Sequence, residues 1–362
     1  MTTETGRITP MLQALEKLVR CESPSEDLAA CRAVVEVANE IAIEVLGKAA
    51  EIQEINGRPV FWWGDKNPKV VLLAHLDTVW PIGSFQPIWN IDGDVLRGPG
   101  TFDMKVGFIQ ALYALKGIDG PVALIATTDE EIGSHASRDL IKNVSKNASA
   151  VLVLEASLDG KVKTGRKGTA MYVIKAVGQA SHAGLEPEKG INATVEIAHQ
   201  ILKLKSLESK EHGTTVVPTL LKGGTTANTV PAEATLEIDA RSFSQADLER
   251  VDRAIKALAA ESDGAKIEVT GGLNRPVLEP AATKELYEIA EQVANRIGMA
   301  PLGCAEVGGA SDGNFAAAAG ARVLDGLGAI GGGAHAANEW ASVKAIAERS
   351  NFLHEFIKEL LK

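Results

Sequence analysis

Three short apolar runs, each followed by histidine or acidic residues, constrain the fold of this chain most strongly. The runs span residues 70–74, 121–126 and 150–154, and stretches of helical character at 105–115 and 134–144 separate them. Apolar runs of this length are typical of strands that are buried on both faces of a sheet. Strands that alternate with helices predict an α/β fold, with a mostly parallel sheet and helices on both of its faces.

The polar residues that follow these runs are expected to lie close together. His75 follows the first run, Asp129, Glu130 and Glu131 follow the second, and Glu155 follows the third. Ligand sites of open α/β sheets form at the carboxyl ends of the strands. The sequence therefore predicts one site that collects groups from distant parts of the chain.

The middle of the chain has a different pattern, because its strands partly alternate polar and apolar residues. The order of its elements is β-α-β-β-α-β, which is that of a small ferredoxin-like sandwich. We expect residues 166–272 to form an inserted α+β domain. Residues 1–165 and 273–362 would then form the first domain.

Two short motifs hold candidate metal ligands. In the segment His75-Leu76-Asp77, residues i and i+2 of an extended chain point to one side, so His75 can bind a metal while Asp77 accepts its other ring N–H. Asp103 lies in a turn rich in glycine and proline, before a helix. It is either a carboxylate that bridges two cations or a helix cap.

The three consecutive acidic residues could have different roles in one site. Glu131 and Glu130 follow an apolar run, where burial of their charge is costly unless they are solvated or bound to cations. One could be a metal ligand and the other a general base, or the group could form a charged turn before the next helix. Glu155 and His335 are weak candidates when each is taken alone.

Taken together, these residues have a composition that suits zinc. Two histidines and three carboxylates form a nitrogen and oxygen donor set typical of two zinc ions. If one carboxylate is shared, each metal has three protein ligands and room remains for a bridging water. The five candidate ligands are His75, Asp103, Glu131, Glu155 and His335.

Six motifs in order along the chain resemble those of the dinuclear zinc amidohydrolases. That family contains glutamate carboxypeptidases, aminoacylases, acetylornithine deacetylases and succinyl-diaminopimelate desuccinylases. The resemblance extends from residues 22–25 to the last helix and is strongest to glutamate carboxypeptidases. The motifs are HLDTV, GPGTFDMKVG, TTDEEIGS, VLEAS, SHAG and GGGAHAANE.

The resemblance implies a role for each ligand. His75 and Glu155 would bind one zinc, Glu131 and His335 would bind the other, and Asp103 would bridge the two. The cofactor would be two Zn²⁺ per chain, with Co²⁺ or Mn²⁺ as possible substitutes. The family tends to have glutamate at the position of Glu155 in carboxypeptidases and acylases, and aspartate in aminopeptidases.

The resemblance also implies the catalytic residues. Asp77 would orient His75, and Glu130 would take a proton from the bridging water and pass it to the leaving nitrogen. His182, in the inserted domain, would stabilise the oxyanion. Because this histidine reaches the partner's active site in dimeric relatives, we expect a homodimer. The resemblance thus implies that residues 166–272 form a dimerisation or lid domain, and that residues 1–165 and 273–362 form the catalytic, zinc-binding domain.

Three further residues are candidates for binding the substrate carboxylate. Asn228, Arg241 and Arg275 match positions that hold the α-carboxylate in relatives, and arginine can grip a carboxylate with two parallel hydrogen bonds. For Arg241 and Arg275 the alternative is an ordinary surface ion pair. The substrate would be a peptide or an N-acyl amino acid.

Composition indicates which kinds of binding partner and which cellular location to expect. The 362-residue chain has 37 Lys and Arg against 47 Asp and Glu, and its formal net charge of −10 argues against a nucleic-acid surface. We expect no secretory signal, because no basic region followed by an apolar region is seen at residues 1–10, and no membrane span, because no apolar stretch approaches about 20 residues. With three unpatterned cysteines, a reducing cytoplasmic location is expected.

These patterns predict a zinc-dependent hydrolase that cleaves the amide bond next to a free C-terminal carboxylate. The main alternative is an N-acyl amino acid deacylase. A non-catalytic binding protein on the same fold should lack the base or a ligand, and this chain has both. A nucleotide-binding oxidoreductase is disfavoured, because the glycines at 331–333 do not form a GxGxxG motif after a strand.

Overall fold

The computed structural model describes residues 4–362, with side chains from residue 8 onward. The helices, in chain order, are α1 (Glu4–Arg20), α2 (Leu28–Leu46), α3 (Val106–Ala114), α4 (Arg138–Ser145), α5 (Ala193–Lys205), α6 (Gln245–Lys256), α7 (Pro280–Arg296), α8 (Asp312–Ala318) and α9 (Val343–Leu360). Among these described helices, none is both long enough and apolar enough to cross a bilayer.

The strands are mostly short, and several have only two or three residues. In chain order they are β1 (Glu51–Ile55), β2 (Arg58–Gly64), β3 (Val70–His75), β4 (Asn90–Asp92), β5 (Val95–Arg97), β6 (Val122–Thr127), β7 (Ala150–Val153), β8 (Val162–Arg166), β9 (Gly168–Val177), β10 (Thr215–Gly223), β11 (Glu233–Ser242), β12 (Lys266–Arg275), β13 (Cys304–Val307), β14 (Val323–Leu324), β15 (Gly331–Gly332) and β16 (Trp340–Ser342).

The chain divides into two compact units. The first comprises the residues up to Gly165 together with Glu279–Val307 and Ser311–Lys362, and the second comprises Arg166–Leu278 with Gly308–Ala310. The inserted domain expected over residues 166–272 would end inside β12, which continues to pair with β9 up to its last residue. The role of the second unit as a lid or a dimerisation domain stays a prediction.

The main sheet of the first unit has the strand order β1-β2-β6-β3-β7-β14. Strands β6, β3, β7 and β14 are parallel, and the β1–β2 hairpin adds two antiparallel strands at one edge. Every residue of β3, β6 and β7 is buried, as expected for strands covered on both faces. The predicted α/β fold with a mostly parallel sheet is confirmed.

The close packing of α3 brings the segment before it to the strand ends. A Cβ atom at Gly107 would lie 2.1 Å from the backbone oxygen of Leu154, so only glycine allows this approach. All of α3 except Tyr113 is buried, and Phe108 packs edge-on against Phe61 of β2 with ring centroids 5.2 Å apart. The turn that carries Asp103 is thereby held beside the end of β7.

One predicted helix starts later than expected. The helix anticipated over residues 134–144 begins at Arg138. Ser134 has a φ of 54°, which is left-handed backbone, so it cannot be the first turn of an α-helix. Its hydroxyl donates instead to the buried carboxylate of Asp312.

The second unit is a four-stranded antiparallel sheet with the order β10-β11-β9-β12. Helices α5 and α6 pack on it around a core that includes Tyr172, Ile174, Leu236 and Ile238. The element order β9-α5-β10-β11-α6-β12 is that of the predicted ferredoxin-like sandwich, which is therefore confirmed.

Candidate metal centre

Three neighbouring parallel strands deliver the candidate ligands to one edge of the main sheet. His75 is the last residue of β3, Glu131 lies in the short turn Glu130–Ile132 after β6, and Glu155 follows β7. Because β3 pairs with β6 on one side and β7 on the other, these groups converge at the carboxyl ends of the strands.

The five predicted ligands come together in two overlapping groups. In the first, Nε2 of His75 lies 3.2 Å from Oδ1 of Asp103 and 3.7 Å from Oε1 of Glu155. In the second, Nε2 of His335 lies 2.9 Å from Oε2 of Glu131 and 3.5 Å from Oδ2 of Asp103. Asp103 thus presents one carboxylate oxygen to each group.

The spacing of these atoms fits a small dication. In each group the candidate ligand atoms lie within 4.8 Å of one another. Donor atoms on a tetrahedral zinc with bonds of about 2.0–2.2 Å lie about 3.3–3.6 Å apart. The measured separations of 2.9–3.7 Å bracket that range, so the two groups can hold two cations joined by Asp103.

Asp77 is completely buried and lies behind His75. Nδ1 of His75 is 3.0 Å from the backbone oxygen of Asp77 and 3.5 Å from its carboxylate Oδ1. Either acceptor holds a proton on Nδ1 and leaves the lone pair of Nε2 facing the Asp103 and Glu155 carboxylates. Orientation of His75 by Asp77, as predicted, is compatible with these distances.

The carboxylate of Asp77 also anchors the turn after β6. It accepts hydrogen bonds from the hydroxyl of Ser25 at 2.7 Å and from the backbone N–H groups of Glu131 at 3.2 Å and Glu130 at 3.4 Å. Burial alone would raise the pKa of Asp77, but hydrogen bonds from His75, Ser25 and Glu131 lower it below its ordinary value. A charged Asp77 therefore fixes the turn that holds both Glu130 and Glu131.

Glu339 is a site residue for which the sequence suggested no role. It is 1% exposed, and Oε1 accepts the backbone N–H groups of Phe102 at 2.9 Å and Asp103 at 3.1 Å. Its Oε2 accepts the N–H of Gly100 at 3.2 Å and the indole N–H of Trp80 at 3.0 Å. Glu339 therefore holds the turn from which the shared carboxylate projects.

The only sequence signal for Glu339 is its place in the same glycine-rich motif as His335. Those glycines permit close packing, since a Cβ at Gly331 would lie 2.0 Å from the backbone oxygen of Trp340. His335 itself has a φ of 60°. The segment thus contains both the candidate ligand His335 and Glu339, which holds the turn that contains Asp103.

Asp103, Glu131 and His335 lie so close together that each pKa is shifted from its ordinary value. Hydrogen bonds to Asp103 and Glu131 raise the pKa of His335 to about 10. Burial, with Asp103 nearby, raises the pKa of Glu131 to about 7. Burial also opposes charge on Asp103, but both histidines lower its pKa strongly. A bound dication would replace the protons that these groups otherwise share.

Glu130, the predicted base, lies next to Glu131 in the turn after β6 and is 8% exposed. Its backbone N–H is held by Asp77. These two neighbours are the predicted base and the predicted ligand, and both lie in one short helical segment. The role of Glu130 stays a prediction.

His182 lies in the second unit, in a loop that pairs with residue Thr229. Its Nδ1 accepts the backbone N–H groups of Gly184 and Leu185, each at 3.1 Å. The ring proton of the neutral histidine must then be on Nε2, which leaves Nε2–H as a donor. Asn228 belongs to the facing segment, where its backbone oxygen accepts the N–H of Ala183 at 2.9 Å.

The two predicted carboxylate-binding arginines differ in their surroundings. Arg241 forms a bidentate pair with Asp239, at 2.8 and 2.9 Å, and donates to the backbone oxygen of Gly308 at 3.1 Å. Its most favourable edge for a carboxylate is therefore occupied within the unit. Arg275 ends β12 and is 8% exposed. Of the two, Arg241 is the weaker candidate.

Comparison with known proteins identifies the family. The model of peptidase family M20/M25/M40 matches residues 71–359, so the chain belongs to that family. Carboxypeptidase G2 of Pseudomonas sp. (strain RS-16) is 33% identical over 327 residues, which cover 85% of this chain and 76% of the relative. The family is metal-dependent, and the protein is a hydrolase that acts on amide bonds.

Two solved structures share the fold. A tripeptidase from Staphylococcus aureus superposes with a TM-score of 0.78 at 22% identity, over 98% of this chain and 99% of that one. The M20 family metallo-carboxypeptidase Sso-CP2 from Sulfolobus solfataricus also gives 0.78, at 17% identity, over 97% and 99% of the two chains. At such identities the likeness concerns the fold.

Proposed function

We propose that this protein is a zinc-dependent carboxypeptidase that removes a C-terminal amino acid by hydrolysing the amide bond next to its free carboxylate. The observation that carries the proposal is the pair of ligand groups joined by Asp103. Two zinc ions held there would polarise the scissile carbonyl and lower the pKa of the attacking water. His75 with Glu155, and Glu131 with His335, would complete the two sets.

Glu130 would take the proton from the attacking water and deliver it to the leaving nitrogen. This role is supported by position, because the turn held by Asp77 contains both Glu130 and the candidate ligand Glu131. Asp77 would keep both that turn and His75 in place. Loss of the Glu130 carboxylate should therefore stop turnover without emptying the metal groups.

His182 would donate a hydrogen bond from Nε2–H to the developing oxyanion. The two backbone N–H groups on Nδ1 support this role, because they hold the neutral ring in the tautomer that can donate. We further propose that His182 acts across a homodimer formed by the second units. The edge strand β10 presents Val217, Leu220 and Leu221, each more than two fifths exposed, for such an interface.

The free carboxylate of the substrate would be bound by Asn228 and Arg275, with Arg241 in a supporting role. Glutamate at position 155 and the similarity to a carboxypeptidase both favour a substrate of this kind. An N-acyl amino acid carries the same carboxylate, so a deacylase would use the same residues. The two activities differ only in the acyl half of the substrate, which is an aminoacyl group for a carboxypeptidase and another acyl group for a deacylase.

The first experiment measures metal content and hydrolysis on the same preparation. The substrates are dipeptides ending in Glu, Asp, Ala or Leu, together with N-acetyl amino acids, with and without chelator. Two zinc ions per chain and chelator-sensitive cleavage are expected. Failure to bind metal when it is offered would refute the proposal, and cleavage of the acetyl series alone would replace it with a deacylase.

Two variants test the assigned roles. Glu130→Gln should retain both metals and lose most turnover, whereas equal loss of metal and activity would make Glu130 a ligand instead. His182→Ala should also keep its metals. Mixed dimers of the two variants should recover activity if His182 serves the partner's site, and no recovery would argue that it acts within its own chain.

A further inference from the structure

One buried carboxylate contacts both ends of the turn between β6 and α4. It belongs to Asp312, which is 5% exposed. Its Oδ1 accepts the hydroxyl of Ser134, and its Oδ2 accepts the hydroxyl of Thr127 at 3.3 Å, which is long for a hydroxyl donor. Thr127 ends β6, and the residues between it and Ser134 include Glu130 and Glu131. Asp312 therefore holds the two ends of the segment that contains the predicted base and a candidate metal ligand.

The backbone of Ser134 makes the bond from its hydroxyl informative. Its φ of 54° is left-handed, a conformation that glycine adopts without strain and serine does not. The residue is fully buried, and its backbone N–H donates to the backbone oxygen of Asp129 at 2.7 Å. Serine at this position therefore costs more than glycine would, and the hydrogen bond from its hydroxyl to Asp312 offsets that cost.

Asp312 is itself held by contacts at the start of α8, of which it is the first residue. Ser311 caps the helix, because its hydroxyl accepts the N–H of Gly313 at 3.1 Å and its own N–H donates to the side-chain oxygen of Asn314 at 2.9 Å. The same hydroxyl donates to Asp325 at 2.6 Å, and this fully buried aspartate directly follows β14 of the main sheet. The position of Asp312 is thus set from the sheet and not from the turn that it holds.

The two buried aspartates beside this turn act on different parts of it. Asp77 accepts the backbone N–H groups of Glu131 at 3.2 Å and of Glu130 at 3.4 Å, within the turn. Asp312 accepts side-chain hydroxyls at the two ends. Each anchor therefore restrains a different motion of Glu130 and Glu131.

We propose that Asp312 is a positioning residue for the metal centre. It acts through the hydroxyls of Ser134 and Thr127, which hold Glu131 in place as a metal ligand and Glu130 in place as the base. The inference rests on the proposed function, because that function assigns the roles of Glu130 and Glu131. Asp312 acts on them through the turn and not by contact with the substrate.

The proposal predicts an unequal effect on the two metals. Glu131 belongs to the group that includes His335, whereas His75 and Glu155 belong to the other group. His75 ends β3 and Glu155 follows β7, so neither is part of the turn that Asp312 holds. Loss of the anchor should therefore weaken one metal and leave the other bound, whereas a general loss of structure would weaken both.

Ser134→Ala is the first variant to measure, because it removes the hydroxyl and keeps the Cβ atom. Zinc affinities are measured by competition with a chromophoric chelator. One of the two zinc ions should bind about 10–100-fold more weakly, as is typical when an outer partner of a metal ligand is lost, and the other should be unchanged. Because a small misplacement of catalytic groups can slow a reaction about 100-fold, kcat should fall by about that factor while KM changes little. Asp312→Ala should show the same pattern.

Asp139→Ala is the matched control, because Asp139 is an exposed aspartate in the first turn of α4. A mutant cycle tests the route by which Asp312 acts. Adding Asp312→Ala to the double variant Thr127→Val/Ser134→Ala should lower the weaker zinc affinity by no more than about twofold, because the hydroxyls through which Asp312 acts are already absent.

The proposal is overturned if Ser134→Ala and Asp312→Ala both match the control, if both zinc ions are weakened equally, or if the effects in the cycle multiply. If the unmodified protein cleaves none of the dipeptides or N-acetyl amino acids but Ser134→Ala still weakens one zinc, the proposed function fails and the positioning role stands. If the unmodified protein binds two zinc ions and cleaves a substrate while the variants match the control, the proposed function stands and this inference fails.

Discussion

Replacement of Glu339 by glutamine is the sharpest test of how the shared carboxylate is held. Glu339 is buried and accepts four hydrogen bonds, from the backbone N–H groups of Gly100, Phe102 and Asp103 and from the indole of Trp80. Glutamine has the same shape, but only one of its terminal atoms is an acceptor. Two of the four donors therefore lose their partner in Glu339→Gln.

The expected loss follows from those two bonds. A hydrogen bond to a charged group contributes about 1.5–3 kcal/mol, and a buried donor left unpaired costs about 1–3 kcal/mol, so two of them amount to about 2–6 kcal/mol. Part of this lowers the free energy of unfolding. The rest loosens the turn that carries Asp103, and disturbed outer partners of metal ligands typically lower metal affinity about 10–100-fold.

The assay compares Glu339→Gln with Glu288→Gln, which changes an exposed glutamate on α7. Metal affinity is measured by competition with a chromophoric chelator, and the geometry of the site by the visible absorption of the Co²⁺-loaded protein. Urea unfolding of the metal-free protein gives the stability change. The reasoning is refuted if affinity, Co²⁺ spectrum and unfolding free energy all match those of the control.

Two further predictions concern buried charges near the site. Asp77→Asn removes a charged acceptor behind His75, so metal affinity should fall about 10–100-fold, and unchanged chelator competition would contradict its role. Lys105 is fully buried, and burial lowers the pKa of its ammonium group from 10.5 to about 8. Since this pKa is lower in the folded than in the unfolded chain, burial of the charge costs stability below pH 8, and that cost disappears as the pH rises from about 8 to 10.5. Urea unfolding of the metal-free protein should show this gain, Lys105→Met should lack it, and a parallel pH dependence of both proteins would refute the argument.

The parts of the fold that could be predicted from the sequence are those in which burial on both faces requires apolar residues. Strands β3, β6 and β7 are covered on both faces, so their residues are apolar without interruption and were predicted from that run alone. The predicted start of α4 was wrong because Ser134 has left-handed backbone, and its hydroxyl donates to Asp312, a partner far along the chain that the local pattern does not indicate. Strands of two or three residues, such as β14 and β15, carry too little pattern to be recognised.

The candidate site divides in the same way. Ligand types could be predicted because histidines and carboxylates stand directly after buried strands, where parallel topology makes them meet. Glu339 could not be assigned a role, because its partners are backbone N–H groups of a turn more than two hundred residues earlier. Every residue except proline has a backbone N–H group, so the residue types of the turn do not reveal that it donates to Glu339.

The carboxylates of the site fall into two kinds, those that hold the backbone and those that face the candidate metal groups. Asp77 and Glu339 accept hydrogen bonds from N–H and O–H donors and hold the backbone, and these bonds lower the pKa of Asp77, whereas burial raises the pKa of Glu339. Asp103 and Glu131 instead lie near each other and near His335, and burial beside a like charge raises the pKa of Glu131 to about 7. Anchored turns thus hold closely spaced carboxylates in fixed positions, and either protons on the neighbouring groups or bound cations can offset their repulsion.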